Sequence, residues 1–319
     1  MLSIATFNLC NLGVDAAPTR LSQLGTIIAR DLGGPDILAV QEIMAENAPL
    51  SDGQVPADSA YQALSTAIAD AGGPRYDFRE IPPLAHQDGG MAGANIRVGL
   101  LFDPSRIHFP DRGHAGPGDS TGIRFSGGYP SLTLNPGRIA PLHPAFAGDP
   151  RHHWVPCRKT LAAEFEWNGQ RLFVIVCHFK SMRSVTRREE DYAKKQRHTQ
   201  AEIIHDFATD LLACDPKAAI VLLGDLNDVL GSKTLKLLKG ELFHNLLEDF
   251  PQGRVYTHRH GTHLQALDHI LVSPVLRREA MVYIPHVNSN SAPGDPEPVS
   301  DHDPVLAKLP AWASPDCRV

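Results

Sequence analysis

The chain has 319 residues, 42% hydrophobic and 21% charged, with 26 Gly and 26 Pro. This composition excludes a disordered chain and supplies enough apolar residues for a full core. Thirty basic against 36 acidic residues give a formal charge of −6, which excludes a strong overall field for nucleic acid or anionic membrane, and no apolar run approaches the ~20 residues of a membrane span.

The chain alternates strand and helix patterns. Ser3–Leu9 reads as an opening strand. Leu21, Leu24, Ile27 and Ile28 share a helical face that Gly33-Gly34-Pro35 ends. Asp36–Ile43 (DILAVQEI) is a continuous apolar run with the character of a buried strand. Met44–Ser59 reads as a loop, Tyr61–Ala71 as a helix and Ile96–Phe102 as a strand. Thr160–Trp167 and Arg171–Phe179 flank Asn168-Gly169, a strong hairpin signal. Glu190–Ala213 is the longest predicted helix, with Ile203, Ile204, Phe207, Leu211 and Leu212 on its inner face. Ala219–Gly224 and Leu267–Ser273 are further buried strands, and Val305–Leu309 closes the series.

Asp103–Cys157 breaks this pattern, with 8 Gly and 9 Pro and no apolar period. It reads as an insertion, either a surface excursion or a substrate rim. No linker divides the chain into two cores and no repeat is visible, so a single domain over 1–319 is expected. Five scattered cysteines, odd in number and without a C-x-x-C, point to a reducing, cytoplasmic compartment. Met1 leads directly into a strand-like segment without a signal-like leader. The 16 histidines raise the question of a metal.

Polar residues collect at the ends of the buried runs. Asn8 ends IATFN, Glu42 ends DILAVQE and His178 ends LFVIVCH. Asp225 and Asn227 follow IVLLG, Asp268-His269 opens ILV, and Asp301-His302 precedes PVLAKL. Acids, amides and imidazoles at one sheet rim form a site. Asp268 and His302 suit an Asp–His pair in which the carboxylate fixes the tautomer and raises the imidazole pKa.

The ordered set Phe7-Asn8, Gln41-Glu42, His178–Ser181 (HFKS), Gly224–Asp228 (GDLND), Leu267–Ser273 (LDHILVS) and Ser300–His302 (SDH) resembles the endonuclease/exonuclease/phosphatase superfamily. The resemblance spans nearly the whole chain and is greatest to bacterial nuclease-like members. It implies an α/β, four-layer sandwich of two packed mixed β-sheets flanked by helices. It implies metal contacts at Asn8, Glu42 and Asp301, and Mg²⁺ or Mn²⁺ as cofactor, since a hard ion with few protein ligands suits carboxylate and amide oxygen. Asp225 takes a proton-transfer role, Asn227 an orienting or phosphate-contact role, and His178 donates to the phosphate or leaving group. The Asp268–His302 pair activates water or grips the phosphate.

Three further residues have two readings each. Lys180 is a phosphate contact or a solvated strand-end lysine. Arg158 is a phosphate ligand or half of a salt bridge. Asn95 resembles a substrate-side asparagine of some members. Residues 180–197 carry seven basic and three acidic side chains, either a solvated helix face or a patch tracking a polyanion. His258-x-His260-x-x-His263 superficially resembles the H-x-H-x-D-H signature of zinc hydrolases. Gly261-Thr262 stand where that signature requires Asp, and Asp268 comes eight residues after His260. His152-His153 reads as a loop pair. The expected activity is metal-dependent phosphodiester hydrolysis by a monomeric nuclease acting on DNA or RNA, with no protein partner indicated. The alternative is a phosphatase or phospholipid/phosphoinositide phosphodiesterase, with a zinc hydrolase or a non-catalytic binding protein behind both. The Asp103–Cys157 and Pro285–Pro298 segments lie outside the common core and reshape the mouth.

Overall fold

A computed structural model describes residues 1–45, 49–89, 95–143, 157–251, 255–289 and 297–312. His152-His153 and parts of the 103–157 and 285–298 segments lie outside the described residues. In chain order the first sheet takes β1 (Leu2–Leu12), β2 (Ile37–Ile43), β3 (Asp77–Arg79) and β4 (Arg97–Phe102). A hairpin follows, β5 (Ile123–Ser126) with β6 (Tyr129–Leu132). The second sheet takes β7 (Gly137–Arg138), β8 (Leu161–Trp167), β9 (Gln170–His178), β10 (Ala219–Asp225) and β11 (His244–Asn245). A second hairpin, β12 (His258–His260) with β13 (His263–Gln265), precedes β14 (Asp268–Val272). β15 (Met281–Tyr283) and β16 (Val305–Leu309) complete the strands. The helices are α1 (Pro18–Thr26), α2 (Asp58–Asp70), α3 (Arg187–Cys214), α4 (Lys233–Lys239) and α5 (Pro274–Arg277).

Sheet one runs β15-β16-β1-β2-β4-β3 and sheet two β11-β14-β10-β9-β8-β7. In each, the pairing of two central strands, β1 with β2 and β9 with β10, is parallel, and their other neighbours are antiparallel. Both sheets are therefore mixed, as expected.

Alternation along the strands builds the layers. Ile4, Ile37, Ala39 and Leu100 of sheet one meet Phe165, Val174, Val221, Leu223 and Ile270 of sheet two in one core. The intervening residues of sheet one, Ala5, Phe7, Leu38 and Val40, pack on Leu24 and Ile28 and on Leu64 and Ile68 of α2. Those of sheet two, Ile175, Cys177, Ile220 and Leu222, pack on Ile204, Ala208 and Leu211 of α3 and on Leu235 and Leu238 of α4. Both faces of each sheet are covered, so the central strands read as unbroken apolar runs. The order helix–sheet–sheet–helix is the four-layer sandwich.

Local signals act where expected. Asn168 and Gly169 take φ of +50° and +74°, a turn whose twist matches its flanking strands. Thr186 accepts from the Glu189 amide, whose side chain returns to the Thr186 amide, closing a capping box on α3. The 103–143 stretch, read in the sequence as an insertion without an apolar period, carries regular structure. It contributes the β5–β6 hairpin and β7, which pairs with β8 at the edge of sheet two. Single apolar anchors and individual polar bonds hold it: Ile107, Phe109, Leu132 and Ile139 enter the cores, Asn135 Nδ2 donates to the Pro110 and Glu164 carbonyls, and Arg112 pairs with the buried Glu164 at 2.8 Å. Strands of two to four residues carry no readable period.

Candidate active site

In sheet two, the inward parity of Val174, Val221, Leu223 and Ile270 continues to His178, Asp225 and Asp268. Register places Asp225 opposite both Asp268 and His178, so the three form one row across three strands. All three are buried. His178 Nε2 lies 3.3 Å from Asp225 Oδ2. The next turn brings Asn227 over the same carboxylate, with its backbone amide 2.9 Å from Oδ1 and its Nδ2 3.0 Å from Oδ2. Asn227 has φ of +49°, a left-handed conformation that Asn adopts more readily than most residues.

Sheet one supplies Asn8 in register, on the face of Ile4, but supplies Glu42 by breaking register. Strand parity alone puts Glu42 with Leu38 and Val40, toward the helices. Instead the β2–β4 register shifts between Gln41 and Ile43, and Glu42 takes φ of +63°. The β1–β2 register also shifts between Asn8 and Leu12, where Cys10 and Asn11 have φ of +47° and +55°. Such bulges re-aim side chains at a sheet rim. Asn8 Nδ2 then lies 3.4 Å from Glu42 Oε1 and 3.1 Å from Asp225 Oδ2, linking the two sheets. The Asn11 amide holds Glu42 Oε2 at 3.0 Å.

The segment before β16 closes the site. His302 Nδ1 is 2.7 Å from Asp268 Oδ2, which also accepts from Thr257 Oγ1 at 2.6 Å. His302 Nε2 then faces Asp225 Oδ2 at 3.9 Å and Asp301 Oδ1 at 4.0 Å. Ser300 Oγ donates to the Asn8 carbonyl and accepts from the His302 amide, tying this segment to β1.

The two imidazoles are pushed apart. Burial lowers the pKa of His302, but the carboxylates of Asp268 and Asp225, with the bond to Asp268, outweigh it and raise the group to about 10. Burial and the Arg158 charge hold His178 below its ordinary value despite Asp225 and Glu42. Burial raises Asp225, yet the His178 bond and the His302 charge hold it well below the usual carboxylate range. Asp301 is likewise held low, with burial outweighed by His258 and His302. A neutral imidazole, a cationic imidazole and an ionised carboxylate thus share one site, an arrangement that separates proton donor from acceptor.

Seven of the sequence-predicted residues converge here: Asn8, Glu42, His178, Asp225, Asn227, Asp268 and His302. Asp301 sits at the mouth beside His302. Arg158 is buried beside the row; its Nη2 donates to the Phe179 carbonyl at 2.7 Å and its Nε has no partner. Lys180 is half-buried, its pKa lowered by burial and by Arg158 and Arg197. Asn95 is buried, its Oδ1 accepting from the His86 amide at 2.6 Å. His269 is fully buried between Asn245 and the Asp228 carbonyl and does not border the site's open side. Thr257 and Cys10 escape sequence reading because neither carries a charged or imidazole group at the end of an apolar run, and Ser300 enters it only as part of the SDH motif. His258 also enters the site, its ring centroid 4.7 Å from that of His302, whereas His260 and His263 pair at the exposed hairpin end.

The donor set suits a hard divalent ion. Glu42 Oε1 has only two long neighbours, Asn8 Nδ2 at 3.4 Å and His178 Nε2 at 3.7 Å, and the Glu42 side chain is 20% exposed, whereas Asp225 accepts shorter bonds from Asn8 and Asn227. An ion that keeps several waters fits such a half-open carboxylate, beside which Asn8 presents Nδ2 while its Oδ1 accepts from the Cys10 amide at 3.0 Å.

Two mixed sheets packed face to face, with carboxylates, amides and imidazoles gathered at one end, define a DNase-I-like hydrolase of phosphoester bonds. The Endonuclease/Exonuclease/phosphatase family profile matches residues 5–302, and the chain belongs to that family of divalent-metal-dependent enzymes. Among solved structures, the fold is similar to TDP2 from C. elegans, with TM-score 0.59 and 15% identity over 98% of this chain and 75% of that one. It is similar to D. rerio TDP2 complexed with a single-strand DNA product, at TM-score 0.55 and 17% identity over 97% and 99% of the two chains. A mannosyl-6-phosphatase from Bacteroides thetaiotaomicron is similar at TM-score 0.54 and 16% identity, over 98% and 100%. No curated protein sequence matches the chain. Among the described residues, no helix is long and apolar enough to cross a membrane.

Proposed function

We propose that this protein, folded as one domain, is a Mg²⁺- or Mn²⁺-dependent phosphodiesterase that cleaves DNA. The observation that carries the reading is the convergence of seven separated polar residues on one rim, with a basic segment at its mouth. Arg183 Nη2 approaches Asp301 Oδ2 at 3.7 Å, bringing the start of the basic 180–197 run to the site. Arg183, Arg187, Arg188, Lys194 and Lys195 are exposed along this run, a path for a phosphate backbone despite the net negative charge. The D. rerio TDP2 complex with a DNA product supports the choice of substrate.

Glu42 and Asn8 would hold the ion, with Asp301 nearby. When bound, it neutralises charge on a non-bridging phosphoryl oxygen and lowers the pKa of its water. Asp225, kept ionised, accepts the proton of the attacking water, and Asn227 positions Asp225 through its two bonds. His302, oriented by Asp268, presents a cationic N–H to the phosphoryl group. His178, one strand over, donates to the phosphate or leaving oxygen. Arg158 and Lys180 place positive charge behind the phosphate.

The test is a substrate panel of supercoiled and single-stranded DNA, RNA, bis-p-nitrophenyl phosphate, phosphoinositides and sugar phosphates with Mg²⁺, Mn²⁺, Ca²⁺ or EDTA. DNA cleavage that needs Mg²⁺ or Mn²⁺ and is lost in Glu42→Ala is the expected result. Turnover confined to monoesters or phosphoinositides would replace it with the phosphatase reading, which the fold shared with the mannosyl-6-phosphatase supports.

A further inference from the structure

Beside the oxygen donors lies a second cluster of different chemistry. His258, Asp301 and His302 each offer a ligand atom, and these atoms lie within 4.8 Å of one another. His258 Nε2 is 3.7 Å from Asp301 Oδ2, and His302 Nε2 is 4.0 Å from Asp301 Oδ1. Tetrahedral zinc with bonds near 2.0–2.1 Å separates its ligand atoms by about 3.3 Å. Shifts of about an ångström, within the reach of side-chain rotation, close this set onto one ion.

The surroundings are arranged for that purpose. His302 gives Nδ1 to Asp268 and leaves Nε2 facing the cluster, the carboxylate–imidazole–metal relay that orients many metal ligands. His258 Nδ1 is buried with no partner, while its Nε2 faces Asp301. An antiparallel bridge pairs the backbones of His258 and His302, whose ring centroids lie 4.7 Å apart. The Asp303 amide, donating to the Thr257 carbonyl at 2.6 Å, holds the same two segments together. Arg183 is the cation paired with Asp301, but its side chain is 85% exposed and separated by 3.7 Å, so a metal displaces it at little cost.

We propose that His258, Asp301 and His302 form a three-ligand Zn²⁺ site, distinct in donor chemistry from the oxygen site at Glu42, and that zinc bound there shuts off hydrolysis. Two imidazoles and one carboxylate leave a fourth position for water and favour zinc over Mg²⁺, which prefers oxygen. Binding replaces the Nε2 proton of His302, which passes to solvent. It also removes that N–H from the phosphoryl group and takes Asp301 from the Mg²⁺ side. Only this inhibitory consequence rests on the hydrolytic reading; the binding site stands apart from it.

The experiment measures zinc retained by metal-stripped protein after dialysis against excess Mg²⁺, with calorimetry for affinity. One zinc per chain is expected. His258→Ala and His258→Gln should each abolish retention, with unchanged circular dichroism showing that the fold persists. Asp268→Asn, which touches no metal, should weaken binding about 10- to 100-fold. A His260→Ala/His263→Ala double variant should bind as well as the parent. If hydrolysis is found, the ratio of activity with and without zinc should rise toward one in His258→Gln. Absence of zinc in the parent, retention in both His258 variants, or loss in the His260/His263 variant would overturn the site. Absence of hydrolysis with zinc retained would overturn the functional reading alone.

Discussion

The two sheets build the site by opposite means. Sheet two keeps its register: the alternation that sends Val221 and Leu223 inward sends Asp225 inward too, with Asp268 and His178 alongside. Sheet one departs from its register, and its bulges bring Glu42 beside Asn8 against the parity of the strand. A regular row holds buried groups rigidly, and here it carries the proton-handling residues. A bulged rim leaves a carboxylate half-open, as an exchangeable ion requires.

The most severe break in this comparison removes the imidazole that Asp268 of the row orients. His302→Ala should lower metal-supported turnover by about 10²–10⁴-fold, the usual worth of a general acid or base, while thermal melting shows the fold intact. Next comes the frame under the row. Phe165→Ala, in the fully buried layer between the sheets, should cost about 3–5 kcal/mol in denaturant unfolding. Asn227→Gly separates backbone from side chain at a left-handed position: it keeps the φ of +49° accessible but removes the Nδ2 bond to Asp225. Its turnover should fall with little loss of stability, and equal loss in both would reassign Asn227 to folding.

The smallest effect lies in sheet one. Glu80 is buried against Arg97, which pairs opposite Ile43 at the bulge. Burial outweighs the Arg97 charge and raises its carboxyl from 4.5 to about 7. The folded chain therefore binds a proton that the unfolded chain releases across that window. This contribution to stability is present below about pH 4.5 and is lost as pH rises through 7. Unfolding measured across the window should show that decline, and Glu80→Gln should flatten it.

The contrast between the sheets also explains what is legible in sequence. LFVIVCH, IVLLGD and LDHILV announce both a buried strand and the polar group at its end, because regular alternation needs no other information. Glu42 is readable as a strand-end acid, but its direction is set by a bulge that leaves no mark in the apolar pattern. The longer helices α1, α2 and α3 and the longer strands are legible for the same reason as the row, whereas the short α4 and α5 are not. The 123–138 strands are not, since Asn135, Thr121 and Glu164 hold them through individual hydrogen bonds. His258 is hidden by its neighbours: H-x-H-x-x-H suggests three histidines acting together, whereas a hairpin turns two of them to solvent.

The division of labour between the sheets is tested most directly by titrating Mg²⁺ against hydrolysis of bis-p-nitrophenyl phosphate in the parent, Glu42→Gln and Asp225→Asn. Glu42→Gln should move the Mg²⁺ midpoint at least tenfold higher, with turnover partly recovered at saturating metal. Asp225→Asn should leave the midpoint in place and lower the plateau by about 10²-fold or more. A shifted midpoint in Asp225→Asn, or an unshifted one in Glu42→Gln, would contradict the account.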